Sequence, residues 1–341
     1  MGVNEHSWSN ERAATLKDVA KAAGVSEPTA SVVLNEAKSG TRVSAKTRLV
    51  VTEAAQRLGY RPNALARSLQ TGQTNRIGVF TGAGRLDSGN LFYSAILGGL
   101  FDGCTAHQLN ALVHTSGSTD EYLLDLVSNR AVDGLVVHAG QNSPILNLLH
   151  ELRVPAVAVA DRISRLPCVC VDDAAGGTLQ AHHLSILGHK EVIYIQAYAP
   201  LQSAVLRAEA FTSHAQSLGM RVTKFKAPAL GVHPYLSSSQ LDLIVRRDKP
   251  ATAIVAWCDL LAEGICQELF DLGIDVPKRV AVVGFDGFES SYRRRFELTT
   301  IRAPWNEVGR IAVSMLVNLR KGASVPDTTI LPITFVRGKT S

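Results

Sequence analysis

The chain has few aromatic residues and few cysteines, and it contains no long apolar run. Phenylalanine, tryptophan and tyrosine make up 6% of its 341 residues, and it has five cysteines. No run is long enough to span a bilayer, and the N-terminus lacks the apolar segment of a signal peptide, so the sequence predicts a cytoplasmic protein without membrane contact. Cysteines in that compartment stay reduced. Since Cys168 and Cys170 have no second ligand pair at zinc spacing, we interpret all five as small core residues.

Motifs of common catalytic sites are also missing. No GxxxxGK[ST], HExxH or GxSxG occurs. The adjacent His182 and His183 would point about 100° apart on a helix, which does not suit a shared metal ion. Gly82-Ala-Gly84 imitates the start of a dinucleotide fingerprint, but Asp87 stands where the third glycine belongs, so an ordinary loop is the better interpretation. The sequence therefore predicts neither an enzyme nor a cofactor.

Positive charge is concentrated at the N-terminal end of the chain. Residues 1–76 hold 11 Lys and Arg against 6 Asp and Glu, whereas residues 77–341 hold 24 of each. A basic module of this kind offsets phosphate repulsion and indicates a nucleic-acid partner. A solvated basic tail is the alternative interpretation of the charge alone.

The N-terminal segment up to Asn35 has the pattern of two short helices around a glycine turn. Thr15 and Asp18 have the spacing of a capping box, and Gly24 permits the positive φ that ends a helix. Ser26 can cap the second helix, which would then present one face to a DNA major groove. The residues on that face are Glu27, Pro28, Thr29, Ser31 and Val32.

Three sequence blocks, in order, carry a family resemblance. They are TLKDVAKAAGVS at 15–26, VSAKTR at 43–48 and LGYRPNALARSL at 58–69. With these blocks the chain resembles the LacI/GalR family of bacterial transcription regulators from about residue 15 to its end. The resemblance implies a small all-α helix-turn-helix headpiece followed by an α/β, periplasmic-binding-protein-like core of two doubly wound parallel-sheet subdomains.

The resemblance also implies where the domains begin and end. We expect a flexible tail over 1–14, the headpiece over 15–60, a hinge helix and linker over 61–75, and an effector-binding and dimerisation core over 76–341. Within the core, the N-subdomain would comprise 76–174 and 303–332, and the C-subdomain 175–302 and 333–341.

The core sequence independently supports parallel sheets. Apolar runs bounded by turns alternate with helical patterns, which is typical of sheets covered by helices on both faces. The runs predict strands at 76–81, 111–115, 134–138, 156–160, 191–196, 253–256 and 280–285.

Contacts with DNA follow from the family's positions. Base reading falls to Glu27, Pro28, Thr29 and Val32, and a leucine of the hinge wedges between base pairs of the minor groove. Residues 63–69 are too few for a stable isolated helix, so we expect this hinge to fold on DNA. The hinge positions are Asn63, Ala66 and Leu69, and the positions expected to contact phosphates are Ser26, Asn35, Ser44, Lys46, Thr47 and Tyr60.

The family resemblance also implies an effector site, at positions that match ligand-binding positions of the family. Phe92 and Tyr93 could stack on a ligand ring, with core aromatics as the alternative. Asp161 and Arg162 follow a predicted strand, and Trp257 ends another. Arg207 and Asp286 match ligand-binding positions, with a structural ion pair between them as the alternative.

Two departures from the family pattern bear on the ligand. Leu201 stands where purine-binding members have an arginine, and Cys258 stands where sugar-binding members often have an asparagine. A purine is therefore disfavoured. A sugar or related metabolite is expected, although not necessarily a standard hexose.

These observations predict a transcription regulator, most simply a repressor. It would bind a pseudo-palindromic double-stranded DNA operator and be switched by a sugar-like small molecule between its subdomains. The segment 335–341 resembles the family's last core strand and leaves no tetramer-forming leucine heptad, so a homodimer is expected. A ligand-binding module of periplasmic-receptor type, without DNA function, is the alternative, and an enzyme is the third.

Overall fold

The structure is a computed structural model. It describes residues 12–34, 43–61, 68, 72–82, 90–114, 128–140, 143, 145, 147, 149, 154–198, 201–229, 233–246, 248–288 and 296–341. The chain divides into two compact units, Met1–Asn75 and Arg76–Ser341. The predictions for Asn35, Asn63, Ala66 and Leu69 lie outside the described residues.

Three helices form the described part of the first unit: α1 (Leu16–Ala23), α2 (Glu27–Leu34) and α3 (Ala45–Arg57). The predicted capping box at the start of α1 is confirmed, because the Asp18 N–H donates to Thr15 Oγ1 at 3.3 Å and the Thr15 N–H donates to the Asp18 carboxylate at 2.9 Å. Gly24 follows α1 with a φ of 65°, as the turn requires.

Short apolar side chains hold these three helices together. Alanine and valine let helix backbones approach closely, so the core fixes the orientation of α2 with little buried volume. The buried residues are Val19, Ala20, Ala30, Val33, Val51, Ala54 and Ala55.

Two six-stranded sheets form the second unit. Sheet I has the order β11-β5-β4-β3-β1-β2, and all of its strands are parallel. Its strands are β1 (Arg76–Thr81), β2 (Asn110–His114), β3 (Leu135–His138), β4 (Ala156–Val159), β5 (Cys168–Val171) and β11 (Thr328–Leu331).

Sheet II has the order β12-β10-β9-β8-β6-β7. Only β12 is antiparallel to its neighbour. The strands are β6 (Glu191–Gln196), β7 (Arg221–Lys226), β8 (Ala253–Ala256), β9 (Ala281–Asp286), β10 (Thr299–Arg302) and β12 (Thr334–Val336).

Helices cover the faces of both sheets. On sheet I, α4 (Leu91–Ala106) and α9 (Trp305–Arg320) pack against one face. On sheet II, α5 (Asp173–Ile186) and α6 (Gln202–Ser217) pack against one face, and α7 (Ser238–Val245) and α8 (Asp259–Asp271) against the other. The predicted headpiece and α/β core of two wound sheets are confirmed.

The chain passes between the two sheets three times. It leaves sheet I after β5, through Asp172 into α5. It returns from β10 through Ala303 into α9, and crosses again from β11 to β12 at Pro332. These crossings place the carboxyl ends of both sheets at a common crevice, which is where parallel α/β folds bind ligands.

All seven predicted strands are present, each within one residue of its expected limits. The five cysteines are buried and unpaired, as predicted. Among the described residues, no helix combines the length and the apolar character needed to cross a membrane.

Candidate DNA-reading surface and effector crevice

The start of α2 carries most of the residues predicted to read DNA. Glu27 and Pro28 are exposed, and Thr29 and Val32 are half-buried. Ser31 is only 8% exposed, so the prediction that it faces DNA is wrong. Its position in α2 turns it toward α1 and α3, away from the exposed face.

Hydroxyl groups cap the N-termini of α2 and α3. Ser26 Oγ accepts the Thr29 N–H at 3.4 Å, and Ser44 Oγ accepts the Thr47 N–H at 3.1 Å. The N-terminus of a helix attracts anions through its unpaired N–H groups and its dipole. Lys46 is exposed in the first turn of α3, which has no acidic residue. This arrangement suits a phosphate, whereas Tyr60 is half-buried and packs against the headpiece core.

A chain of hydrogen bonds runs from the lobe built on sheet I to the lobe built on sheet II. Tyr93 Oη lies 2.8 Å from His138 Nδ1, and His138 Nε2 lies 2.9 Å from Asp161 Oδ2. The other oxygen, Asp161 Oδ1, accepts the Ser203 N–H of α6 at 2.8 Å. Helix α6 has no side-chain cap of its own. Asp161 therefore caps a helix of the opposite lobe.

The Asp161 carboxyl group is held in its ionised form. Burial by itself would raise its pKa, but the hydrogen bond and charge of His138, followed by the Ser203 N–H, hold the pKa below its usual range.

Arg207 is buried in the second lobe beside the crevice. Its Nε donates to Asp173 Oδ1 at 2.7 Å, and another of its nitrogens donates to the Trp257 carbonyl oxygen at 3.1 Å. The guanidinium carbon lies 3.5 Å from the centroid of the Phe285 ring. Two donors and one face of the guanidinium are thus engaged by protein groups. Arg207 forms its ion pair with Asp173. The alternative interpretation of the sequence had paired Arg207 with Asp286.

Asp286 and Asp259 form a pair of buried carboxyl groups. Asp259 accepts the Gly287 N–H at 2.7 Å and the Thr300 hydroxyl at 2.5 Å. Burial raises its pKa to about 6 in spite of these bonds. Among the described residues, Asp286 accepts bonds from Trp305 Nε1 at 3.2 Å and from the Asp259 N–H at 3.4 Å. Burial and the Asp259 charge raise the pKa of Asp286 well above its usual range.

The backbone of Asp286 is strained. Its φ is 135°, a region that residues with a side chain rarely adopt, and the next residue, Gly287, has a φ of 73°. Such strain persists only where the surroundings enforce it, and it clusters at ligand sites. Here the strained residue and Gly287, at the end of β9, both line a cavity.

Aromatic side chains border the same space. Phe92 meets Trp305 edge to face with ring centroids 4.9 Å apart, and Tyr93 lies 5.2 Å from Phe92. Trp257 Nε1 is buried and has no hydrogen-bond partner among the described residues. A buried indole N–H usually has one, so this donor is suited to a ligand acceptor.

Two cavities open into the crevice. One of about 490 Å³ is lined by Asp286, Phe288, Trp305, Asn306 and Thr334, among others. The other, of about 240 Å³, is lined by residues from both lobes, which include Arg162, Cys170, Asp172, Gln202, Ser203 and Leu206.

Sequence reasoning missed several crevice residues. His138 ends a predicted strand, so its position could have indicated that it lies at the crevice. Asp173, Ser203 and Asp259 each lie in the first turn of a helix beside the crevice. Trp305 follows the second crossing and carried no local signal.

Comparison with known proteins agrees with this architecture. Residues 15–63 match the model of the bacterial regulatory proteins of the lacI family, and residues 181–341 match a periplasmic binding protein-like domain.

Individual relatives align over almost their whole length. The chain is 30% identical over 333 residues to the HTH-type transcriptional regulator GalR of Salmonella typhimurium, an alignment that covers 93% of this chain and 92% of that protein. It is 26% identical over 325 residues to catabolite control protein A of Priestia megaterium, covering 93% and 95%.

Among solved structures, the lac repressor dimer bound to operator and the anti-inducer ONPF has a TM-score of 0.79 and 26% identity. That match covers 96% of this chain and 99% of the repressor chain. Relatives named here are transcription regulators, and none is named as an enzyme. A helix-turn-helix unit, a core of two wound sheets and full-length relatives together show that this chain belongs to the lacI family of DNA-binding transcription regulators.

Proposed function

We propose that the protein is a dimeric repressor whose affinity for a pseudo-palindromic operator is switched by a small molecule bound in the crevice. The observation that carries the proposal is the bond from Ser203 N–H to Asp161, because it joins the two lobes at the site itself. A molecule that takes the place of either partner must change how the lobes meet. The protein would act in the cytoplasm, where its DNA is.

DNA reading falls to the exposed part of α2. We propose that Glu27, Pro28, Thr29 and Val32 contact base edges, with Glu27 suited to a cytosine amino group and Pro28 and Val32 to thymine methyls. Ser26, Ser44, Lys46 and Thr47 surround two helix N-termini, which supports phosphate contacts that set the register. Tyr60, Asn35 and the hinge residues Asn63, Ala66 and Leu69 remain predictions from the family's positions.

The effector we propose is a sugar or a related polyhydroxylated metabolite. Asp161 supplies a carboxylate acceptor for hydroxyl groups, Asp286 supplies a buried carboxyl group, and Trp257 supplies a buried donor. Phe92 and Trp305 offer ring faces or edges against which a sugar ring can pack. The cavity of about 490 Å³ falls within the usual range of ligand pockets, about 300–1,000 Å³.

Binding alone would not switch the protein. A ligand shifts the equilibrium between lobe arrangements only by its difference in affinity for them. Asp161 gives a structural basis for such a difference, since a hydroxyl that donates to Asp161 Oδ1 competes with the Ser203 N–H. Arg162, exposed next to Asp161, is placed to contact the same ligand.

Two experiments test the proposal. Purified protein incubated with genomic DNA fragments should enrich a sequence with two-fold symmetry, whereas a ligand-binding module without DNA function would enrich nothing. A thermal-shift screen of sugars and polyols should find a compound that raises the melting temperature. That compound should then change operator affinity in a DNA titration.

Asp161→Asn should weaken the response to that compound and leave operator binding without it intact. Asp271→Asn is a matched control, because Asp271 is exposed at the end of α8 and lines neither cavity. An unchanged response in Asp161→Asn would remove Asp161 from the effector site.

A further inference from the structure

Two cysteines lie side by side on β5, directly before the chain crosses between the lobes. Residues two apart on a strand face the same side of the sheet, and Cys168 and Cys170 share one core cluster while Val169 and Val171 belong to the cluster on the opposite face. Cys168 Sγ lies 3.5 Å from the Asp161 carbonyl oxygen.

Cys170 differs from the other cysteines in its surroundings. It lines the cavity of about 240 Å³, which the other four do not. The exposed Arg162 lines the same cavity as Cys170. Cys104 and Cys266 are enclosed among apolar side chains of the two cores, and Cys258 stands at the N-cap position of α8, next to buried carboxyl groups.

The charges near each sulfur also distinguish Cys170 from the other cysteines. The hydrogen bond from Cys168 and the guanidinium of Arg162 lower the pKa of Cys170, against the opposing effects of burial and of the Asp173 carboxylate. Asp173 is itself paired with Arg207, and the nearby Asp172 carboxylate is engaged by the Ala175 N–H. Burial raises the pKa of Cys104 to about 11 and of Cys266 to about 12. Only the thiolate form is a good nucleophile.

We propose that Cys170 is a modification site, at which a small hydroperoxide entering the cavity oxidises the sulfur to a sulfenic acid. The thiolate sulfur attacks one peroxide oxygen, forms the S–O bond and breaks the O–O bond. Sulfur loses two electrons, and the peroxide is reduced to water or an alcohol once the leaving oxygen has taken up a proton. Arg162 can hydrogen-bond to the new oxygen.

The position of Cys170 allows its oxidation to affect how the two lobes meet. The cavity is walled by Arg162, Cys170 and Ile330 from the first lobe and by Gln202, Ser203 and Leu206 from the second. An oxygen added to Cys170 occupies space next to the Asp161–Ser203 bond. Oxidation is therefore expected to change the lobe equilibrium, a consequence that rests on the proposed function.

The site is tested by treating the full-length protein with a small excess of hydrogen peroxide in the presence of dimedone, followed by peptide mass mapping. Cys168→Ser protein is used as well, because Cys168 could condense with the sulfenic acid before dimedone does. We expect labelling of Cys170 at about ten times the level of Cys104, Cys258 or Cys266. Equal labelling of these cysteines, or labelling that spares Cys170, would overturn the proposal.

Arg162→Ala tests the cause of the reactivity. Its side chain is exposed, so its loss should leave the fold intact, as checked by circular dichroism, and should slow labelling of Cys170 several-fold. Arg221→Ala, an exposed arginine of the second lobe that lines neither cavity, is the control. Equal rates in the two variants would exclude Arg162 from the site.

A second measurement follows operator binding. Peroxide should change operator affinity of the wild type and of Cys104→Ser, and should not change that of Cys170→Ser. Labelling at Cys170 with unchanged operator affinity would overturn the coupling to the lobes. If the untreated protein bound no DNA at all, the proposed function would fail while the labelling result would still decide the reactive site.

Discussion

Arg207 is held on several sides at once, which makes it a structural residue as well as a candidate ligand contact. Asp173, the Trp257 carbonyl and the Phe285 ring all contact it, and both members of the ion pair are at most 5% exposed. A buried carboxylate that loses its partner is costly, about 3–5 kcal/mol.

Arg207→Ala should therefore lower the free energy of unfolding by ~3–5 kcal/mol, because Asp173 would stay buried without its counter-charge. Urea denaturation followed by fluorescence measures this directly. Arg310→Ala is the control, since Arg310 forms an exposed pair with Glu307 on α9 and its removal should have little effect. A small effect in both variants would mean that Asp173 is solvated when Arg207 is absent.

Asp286 should make stability depend on pH. The pKa of this group is raised in the folded protein, so the native state binds the proton more tightly than the unfolded chain does. As pH rises from the ordinary aspartate pKa through the raised one, the native state loses stability.

Asp286→Asn cannot ionise and keeps an oxygen to accept the Trp305 N–H. It should melt above the wild type at pH 8, and the difference should shrink as the pH falls to 5. Scanning calorimetry across this range measures it. A difference that grows toward pH 5 would contradict the raised pKa.

At the scale of elements, the packing of α4 against α9 depends on glycine. A Cβ at Gly99 would overlap the backbone carbonyl of Asn306, and one at Gly309 would overlap that of Ile96. Each glycine lets the partner helix approach to backbone contact. Backbone atoms cannot move aside as a flexible side chain can.

Gly99→Ala should destabilise the second unit by at least ~1–3 kcal/mol, because the two helices must separate. Gly98→Ala is a control one residue away, where the nearest atom to an added Cβ is Asn306 Nδ2 at 3.8 Å. That change should be neutral or slightly stabilising, since alanine favours a helix by up to about 1 kcal/mol over glycine. Thermal melting of the pair checks both expectations, and equal melting temperatures would argue against the close helix contact.

At the scale of the whole molecule, the proposed function requires two copies. A helix-turn-helix that reads a half-site gains tight binding when a two-fold partner reads the other half. Light scattering should give twice the chain mass of 36.6 kDa at micromolar concentration. DNA with one half-site scrambled should bind much more weakly than the full palindrome. A stable tetramer, or equal binding to both DNAs, would contradict the dimeric assembly.

Most of the fold could be predicted because its signals are local. The capping box at Thr15, the turn at Gly24 and the apolar runs of β1, β6 and β8 each depend on neighbouring residues only. Strands without such a signal were missed. β7, for example, is an edge strand of mixed polarity with no buried residue.

The candidate site could be predicted in part. Asp161, Trp257 and Asp286 follow or end apolar strands, and the carboxyl ends of such strands meet in a crevice of this fold. Which groups pair inside that crevice was beyond the sequence. His138 and Asp161 are 23 positions apart, and Arg207 and Asp173 are 34 apart.

The sequence by itself determined the headpiece, the wound core and the family, because helix caps, apolar periodicity and motif order are properties of adjacent residues. Only the tertiary structure decided that Arg207 pairs with Asp173, that Asp161 caps a helix of the other lobe, and that Cys170 borders a cavity. Each of these depends on two sheets meeting after the chain has crossed between them. The burial of a side chain and the electrostatic field around it are then set by residues that are distant in the chain.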